Sequence, residues 1–146
     1  MLKKLLYFLF VNDTLKKNIV FLKKNPLFTG LSKKSLAKIA LLIFRKEYTQ
    51  YEKIYEENKE ANVLYILKAG QVRITEKNSS KVLEGGDFFG EISLIGNCTH
   101  KNNASALKKS ELYLIYRAKI VDLFESDNKV GLIIMKNLAN ILAKKL

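Results

Sequence analysis

The stretch Gly85-Gly86-Asp87-Phe88-Phe89-Gly90-Glu91-Ile92-Ser93-Leu94 holds the residue types and spacing in this chain that best suit chemistry. Two glycines and an aspartate turn the chain out of a strand, and Phe88 and Phe89 are apolar anchors for a core. Gly90, lacking a Cβ, permits close approach of its backbone to a ligand. If residues 91–95 form a short helical turn, the amides of Gly90, Ile92 and Ser93 sit at its N-terminus. Free N–H groups and the helix dipole there favour an anion such as phosphate. Glu91 is unsuited to phosphate but well placed to accept a hydrogen bond from a neighbouring sugar hydroxyl. A nucleotide sugar-phosphate presents that pair of groups.

The remaining reactive side chains do not assemble a second chemistry. His100 is the single histidine and Cys98 the single cysteine. Two soft ligands fall short of the three or four that a metal site needs, so no metal is expected. A lone imidazole without a spaced nucleophile and acid argues against a catalytic triad, and no enzyme activity is expected. The seven tyrosines are scattered, as packing residues are.

Three regimes of periodicity must position the glycine-rich stretch. Residues 2–11 and 15–24 read as two helices, with Asp13 or Thr14 capping the second and Asn25-Pro26 stopping it. Ser32 is an N-cap candidate, and Leu36, Ile39, Ala40 and Ile43 recur at helical spacing, which predicts a helix over 33–44. From Arg45 to Tyr116 the period becomes two: Val63, Tyr65 and Leu67; Val72 and Ile74; Leu112, Leu114 and Tyr116. Turn residues punctuate these strands at Glu57-Asn58-Lys59, Ala69-Gly70, Asn78-Ser79-Ser80, Gly85-Gly86-Asp87 and Gly96-Asn97. Short strands at this spacing predict a sandwich or barrel. Helical spacing returns over residues 117–124, Ser126-Asp127-Asn128 interrupts it, and residues 131–146 put Ile134, Leu138, Ile141 and Leu142 on one face.

Composition agrees with one globular domain: 146 residues, 48% hydrophobic and 27% charged. One cysteine makes no internal disulfide, so a reducing, cytoplasmic setting is expected. The net charge of +12 is uneven. Residues 1–46 carry 11 basic and 1 acidic residue, residues 47–91 carry 6 and 9, and residues 92–146 carry 9 and 4. Such basic ends suit an acidic partner, an anionic membrane surface or nucleic acid, or are solvated helix faces. The apolar run Leu5–Val11 follows Lys3-Lys4 but lacks a small-residue cleavage pattern, and it is far short of the ~20 residues that span a bilayer. It reads as a helix able to make weak contact with a membrane surface.

Asp87-Phe88-Phe89-Gly90-Glu91-Ile92-Ser93-Leu94 resembles the phosphate-binding cassette of the cyclic nucleotide-binding domain family. Leu22 to Leu36 resembles that family's lead-in segment, and Leu64-Tyr65-Ile66-Leu67 through Gly70-Gln71-Val72-Arg73-Ile74 resembles its central strands and turn glycine. The resemblance covers about residues 20–146. It implies that Gly90, Ile92 and Ser93 offer amides to a cyclic phosphate and that Glu91 binds the ribose 2′-hydroxyl. Val72, Ile74, Leu83 and the C-terminal helix would line the base pocket. The family's usual arginine precedes an alanine by two residues. Ala104-Ser105 matches that end of the cassette, and Asn102 falls on the arginine position, with Lys101 and His100 beside it as weaker donors. Tyr51 and Asn58 stand at two usual turn glycines. Asn58 tolerates the left-handed conformation, whereas Tyr51 is expected to require a different turn.

These readings predict a mainly β fold, a β-roll or jelly roll with N-terminal and C-terminal helices. The N-terminal helical segment spans 1–24 and a binding domain spans 25–146, with its roll at about 45–116 and C-terminal helices over 117–146. The implied function is a regulatory module that senses cyclic AMP or cyclic GMP and repositions its C-terminal helix. The alternative is a degenerate pseudo-sensor acting as a protein-interaction or membrane-surface scaffold. A homodimer or protein partner is expected through the C-terminal helix. No cofactor is expected, and because the sequence ends with that helix neither a DNA-binding module nor direct DNA binding is expected.

Overall fold

A computed structural model describes residues 1–146, which fall into two units. One comprises Met1–Leu42 and Leu123–Leu146, the other Ile43–Asp122.

The first unit is helical. Helix α1 runs unbroken over Leu2–Lys23, where two helices were expected. Asp13 does not cap a new helix: its carboxylate pairs with Lys17, one turn on, at 3.0 Å. Asn, Asp and Thr each cost only about 0.5–0.7 kcal/mol in a helix interior. Ending a helix there would instead strand four carbonyls and four amides. Asn25-Pro26 does stop the helix, and the Asn25 side-chain oxygen accepts the Leu27 N–H at 2.9 Å. Ser32 caps α2 (Lys33–Ala40) by accepting the Ser35 N–H at 3.1 Å. Helix α2 stops four residues short of expectation because Phe44 already belongs to a strand. Near the other end of the chain, α3 (Arg117–Ser126) is followed by α4 (Asn128–Ala143). Asp127 caps α4 through the Val130 N–H at 3.3 Å and accepts a hydrogen bond from Lys38 Nζ at 2.9 Å. The Asn137 amide donates to the Leu27 and Thr29 carbonyls at 2.9 and 2.8 Å. Ile134 and Leu138 are buried as the pattern required, while Ile141 and Leu142 are half-buried.

The second unit is the expected roll. Its strands are β1 (Phe44–Tyr48), β2 (Lys53–Tyr55), β3 (Val63–Ala69), β4 (Val72–Glu76), β5 (Ser79–Leu83), β6 (Phe88–Phe89), β7 (Asn103–Ala106) and β8 (Ser110–Tyr116). They form two antiparallel sheets, ordered β1-β8-β3-β6 and β2-β7-β4-β5. Side-chain alternation sends Tyr48, Val63, Tyr65, Leu67, Leu112 and Leu114 from one sheet into a shared core. Val72, Leu83, Ala104 and Ala106 meet them from the other. β3 and β8 are buried on both faces, since Leu64, Ile66 and Ile115 are also fully buried. The hairpin between β4 and β5 turns at Lys77-Asn78, one residue earlier than expected, and strand pairing begins at Ser79. No helix is long and apolar enough to cross a membrane.

Candidate functional site

Strand β6 delivers the glycine-rich stretch to the roll. Phe89 pairs with Tyr65 and Phe88 with Ile66 on β3. The turn before it is tied by its own groups: Gly86 N–H donates to Leu67 O at 2.7 Å, and Asp87 Oδ2 accepts the Glu84 N–H at 2.8 Å. Gly90 then adopts the left-handed conformation, φ 72° and ψ 18°. A Cβ there would lie 2.8 Å from the Val63 carbonyl oxygen and 3.0 Å from Tyr65 Cδ2. Backbone geometry and packing on β3 therefore both demand glycine. A short 3-10 turn follows over Glu91–Leu94.

The expected site residues fall on the 3-10 turn and strands β4, β5 and β7, with Asn102 just before β7. Glu91 and Ile92 are half-buried at the start of the turn. The Ser93 amide is engaged inside the turn by the Gly90 carbonyl at 3.0 Å, so it is not a free donor as expected. The Ser93 side chain is fully buried, and its hydroxyl has no hydrogen-bond partner. Val72 and Leu83 face each other across β4 and β5, both buried in the roll's core, with Ile74 half-buried beside them. Ala104 lies opposite Ile74 and next to Tyr55 across the sheet, while Ser105 faces Arg73 and is half-buried.

Asn102, at the position where the resemblance implies arginine, is half-buried and held by a neighbour. Tyr55 Oη donates to Asn102 Oδ1 at 2.7 Å. The Tyr55 ring stacks on His100, with centroids 3.6 Å apart and planes 5° from parallel. It also meets Tyr65 and Phe89 at 5.8 and 6.0 Å, and those two rings stack on each other at 5.0 Å. Four rings and one amide thus cluster beside the cassette. His100 lies outside the strands, yet it is buried to 3% exposure. The turn between β2 and β3 clamps it: Asn58 N–H donates to its carbonyl and its own N–H donates to Lys59 O, both at 2.9 Å. Asn58 is left-handed as anticipated, at φ 70°.

Electrostatics follow from this packing. Burial pushes the His100 pKa down, so the ring is neutral at pH 7 and supplies no cation. Burial raises the Tyr55 hydroxyl well above the ordinary tyrosine value, and the nearby negative charge of Glu91 adds to the shift. Tyr65 is pushed up to about 12, chiefly by burial. Lys101 is exposed. The site therefore holds a glycine turn, a carboxylate and a buried hydroxyl, with neutral aromatic side chains beside them.

Tyr51 is a correction. It was expected to require a different turn, yet it takes φ 67° and its N–H donates to Ala106 O at 2.7 Å. The chain keeps the left-handed turn and places a bulky residue in it. The aromatic closure was missed at the sequence level. Tyr55 and Asn102 lie 47 positions apart, and only the β2–β7 pairing brings them together.

The family profile of the cyclic nucleotide-binding domain matches residues 45–127. The cyclic AMP receptor protein of Thermus thermophilus is 29% identical over 132 residues, covering 86% of this chain and 59% of that protein. The cGMP-dependent protein kinase isozyme 1 of Drosophila melanogaster is 29% identical over 101 residues, covering 64% of this chain and 13% of the kinase. The crystal structure of a putative cyclic nucleotide-binding protein from Geobacter metallireducens superposes with a TM-score of 0.74 at 27% identity, covering 86% of this chain and 96% of that one. The chain thus spans about three-fifths of the bacterial receptor and about an eighth of the kinase.

Proposed function

Since the chain belongs to the cyclic nucleotide-binding domain family, we propose that it is a regulatory module that binds a cyclic nucleotide at the Gly90–Ser93 turn. The observation that carries this reading is Gly90 in its left-handed conformation with Glu91 directly after it, at the end of β6. Glycine alone has a packing reason, but a half-buried carboxylate at the head of the turn suits a sugar hydroxyl. The buried Ser93 hydroxyl is a second group that a ligand oxygen would satisfy. The relatives named for cyclic AMP and cyclic GMP support either base.

On this reading the neighbouring aromatic cluster yields as the ligand enters: Tyr55 releases Asn102 and lifts from His100, which lowers apparent affinity by the fraction of molecules already open. Without an arginine, the phosphate meets backbone and hydroxyl donors only. The bound state then acts on α4 through α3, which precedes it in the chain. A ligand shifts that helix only by as much as it favours one arrangement over another. Isothermal titration calorimetry with cyclic AMP and cyclic GMP tests the reading, with saturable binding expected for at least one. Absence of heat and of any shift in thermal midpoint at millimolar nucleotide refutes it.

The cap itself favours a second reading. A roll closed by Tyr55, Asn102 and His100 is suited to hold its shape without ligand, as a non-sensing interaction module. Amide spectra unchanged by either nucleotide, in wild type and in Tyr55→Ala alike, are the result this reading expects.

A further inference from the structure

We infer that the first eleven residues of this chain, the start of α1, insert into an anionic membrane surface. Every side chain from Leu5 to Val11 is apolar or aromatic, and each is between 39% and 71% exposed. Seven successive residues are about two helical turns, so their side chains point in every direction around the axis. A second copy of the chain, or a protein groove, covers one side of a helix and leaves the other bare. A surface of acyl chains and headgroups surrounds it. The stretch from Leu2 to Val11 is about 15 Å long and about 10–12 Å across. Laid flat, its lower half reaches the ~5–10 Å depth at which interfacial helices bury their apolar face, its upper half lies among the headgroups, and it is about half the length needed to span.

The charges select an anionic surface and a helix lying along it. Lys3-Lys4 precede the apolar run and Lys16-Lys17 follow it. Cations at both ends disfavour driving either end into the hydrocarbon, and their flexible stems reach headgroups from a helix lying flat. Asp13, the single acidic residue of α1, is paired with Lys17 at 3.0 Å. Further along, Ile19 and Leu22 are buried, so α1 is held by its own unit at one end while its other end is bare.

The full chain is tested by sedimentation with vesicles of phosphatidylcholine containing about 30% phosphatidylserine, and with phosphatidylcholine alone. Binding to the anionic vesicles is expected, weakened severalfold or more at about 0.5 M salt by screening. Lys3→Gln with Lys4→Gln is expected to lower partitioning roughly tenfold, and Leu6→Asp with Phe10→Asp to abolish it. Both replaced apolar side chains are exposed, and far-UV circular dichroism checks that the fold survives. Equal binding to neutral vesicles overturns the inference. So does failure to bind either vesicle. Self-association in analytical ultracentrifugation that Phe10→Asp removes, without vesicle binding, assigns the surface to a second copy instead.

Discussion

Replacing Asn102 with arginine separates what the cap does for the fold from what the missing charge does for the ligand. In the structure Asn102 Oδ1 accepts the Tyr55 hydroxyl at 2.7 Å. Arginine has no acceptor, so Asn102→Arg leaves that hydroxyl unpaired among rings, which costs about 1–3 kcal/mol of stability. Tyr55→Phe alone removes one neutral hydrogen bond and costs about 0.5–1.5 kcal/mol. With both changes the orphaned hydroxyl is gone, and the double variant is expected to be more stable than Asn102→Arg. Binding responds differently. Opening the cap in the wild type breaks the Tyr55–Asn102 bond, so Tyr55→Phe tightens nucleotide binding about 2- to 12-fold. Arginine adds a charge-assisted phosphate contact worth about 1.5–3 kcal/mol, or roughly tenfold to a hundredfold. Urea denaturation and calorimetric titration of the four proteins complete the double-mutant cycle. If Asn102→Arg binds both nucleotides within threefold of wild type and the stability changes simply add, the assignment of the phosphate position and the role of Tyr55 are both refuted.

Gly90→Ala combines a left-handed backbone with a Cβ 2.8 Å from the Val63 carbonyl, so a loss of at least ~2 kcal/mol is expected in chemical denaturation; a loss below half of that removes the strain argument. Tyr51→Gly is expected to stabilise the protein by about 0.5–1 kcal/mol, because relief of the left-handed conformation at φ 67° exceeds the entropy of the added glycine. A lowered thermal midpoint contradicts it. The Asp127 carboxylate is held below its ordinary value of 3.8, first by the Lys38 hydrogen bond and then by the Val130 amide. Its stabilisation is therefore full above about pH 4 and fades as pH falls through the depressed value. Asp127→Asn keeps a competent N-cap, so its melting point should fall below wild type at pH 7 and converge with it as acid protonates the carboxylate. A difference that persists unchanged in acid rules out the charge as its source.

Some of this protein was legible residue by residue. The alternation of Val63, Tyr65 and Leu67 and of Leu112 and Leu114 marked the two central strands, because a strand buried on a shared core writes its period into the chain. Ser32 and Asn25-Pro26 marked helix boundaries, and Gly90-Glu91 marked the turn, because capping and left-handed geometry are satisfied by neighbours a few positions away. Tertiary structure decided what depends on distant partners. The charged strand Phe44–Tyr48 has no inward-outward alternation of its own, and it is a strand because β8 pairs with it, which also ends α2 early. The closing of the site by Tyr55, His100 and Asn102 follows from antiparallel pairing of β2 with β7, and strand register is set by the whole core. Local spacing thus marked the turn proposed to dock a nucleotide, while the ring and amide contacts beside it join segments 45 or more positions apart.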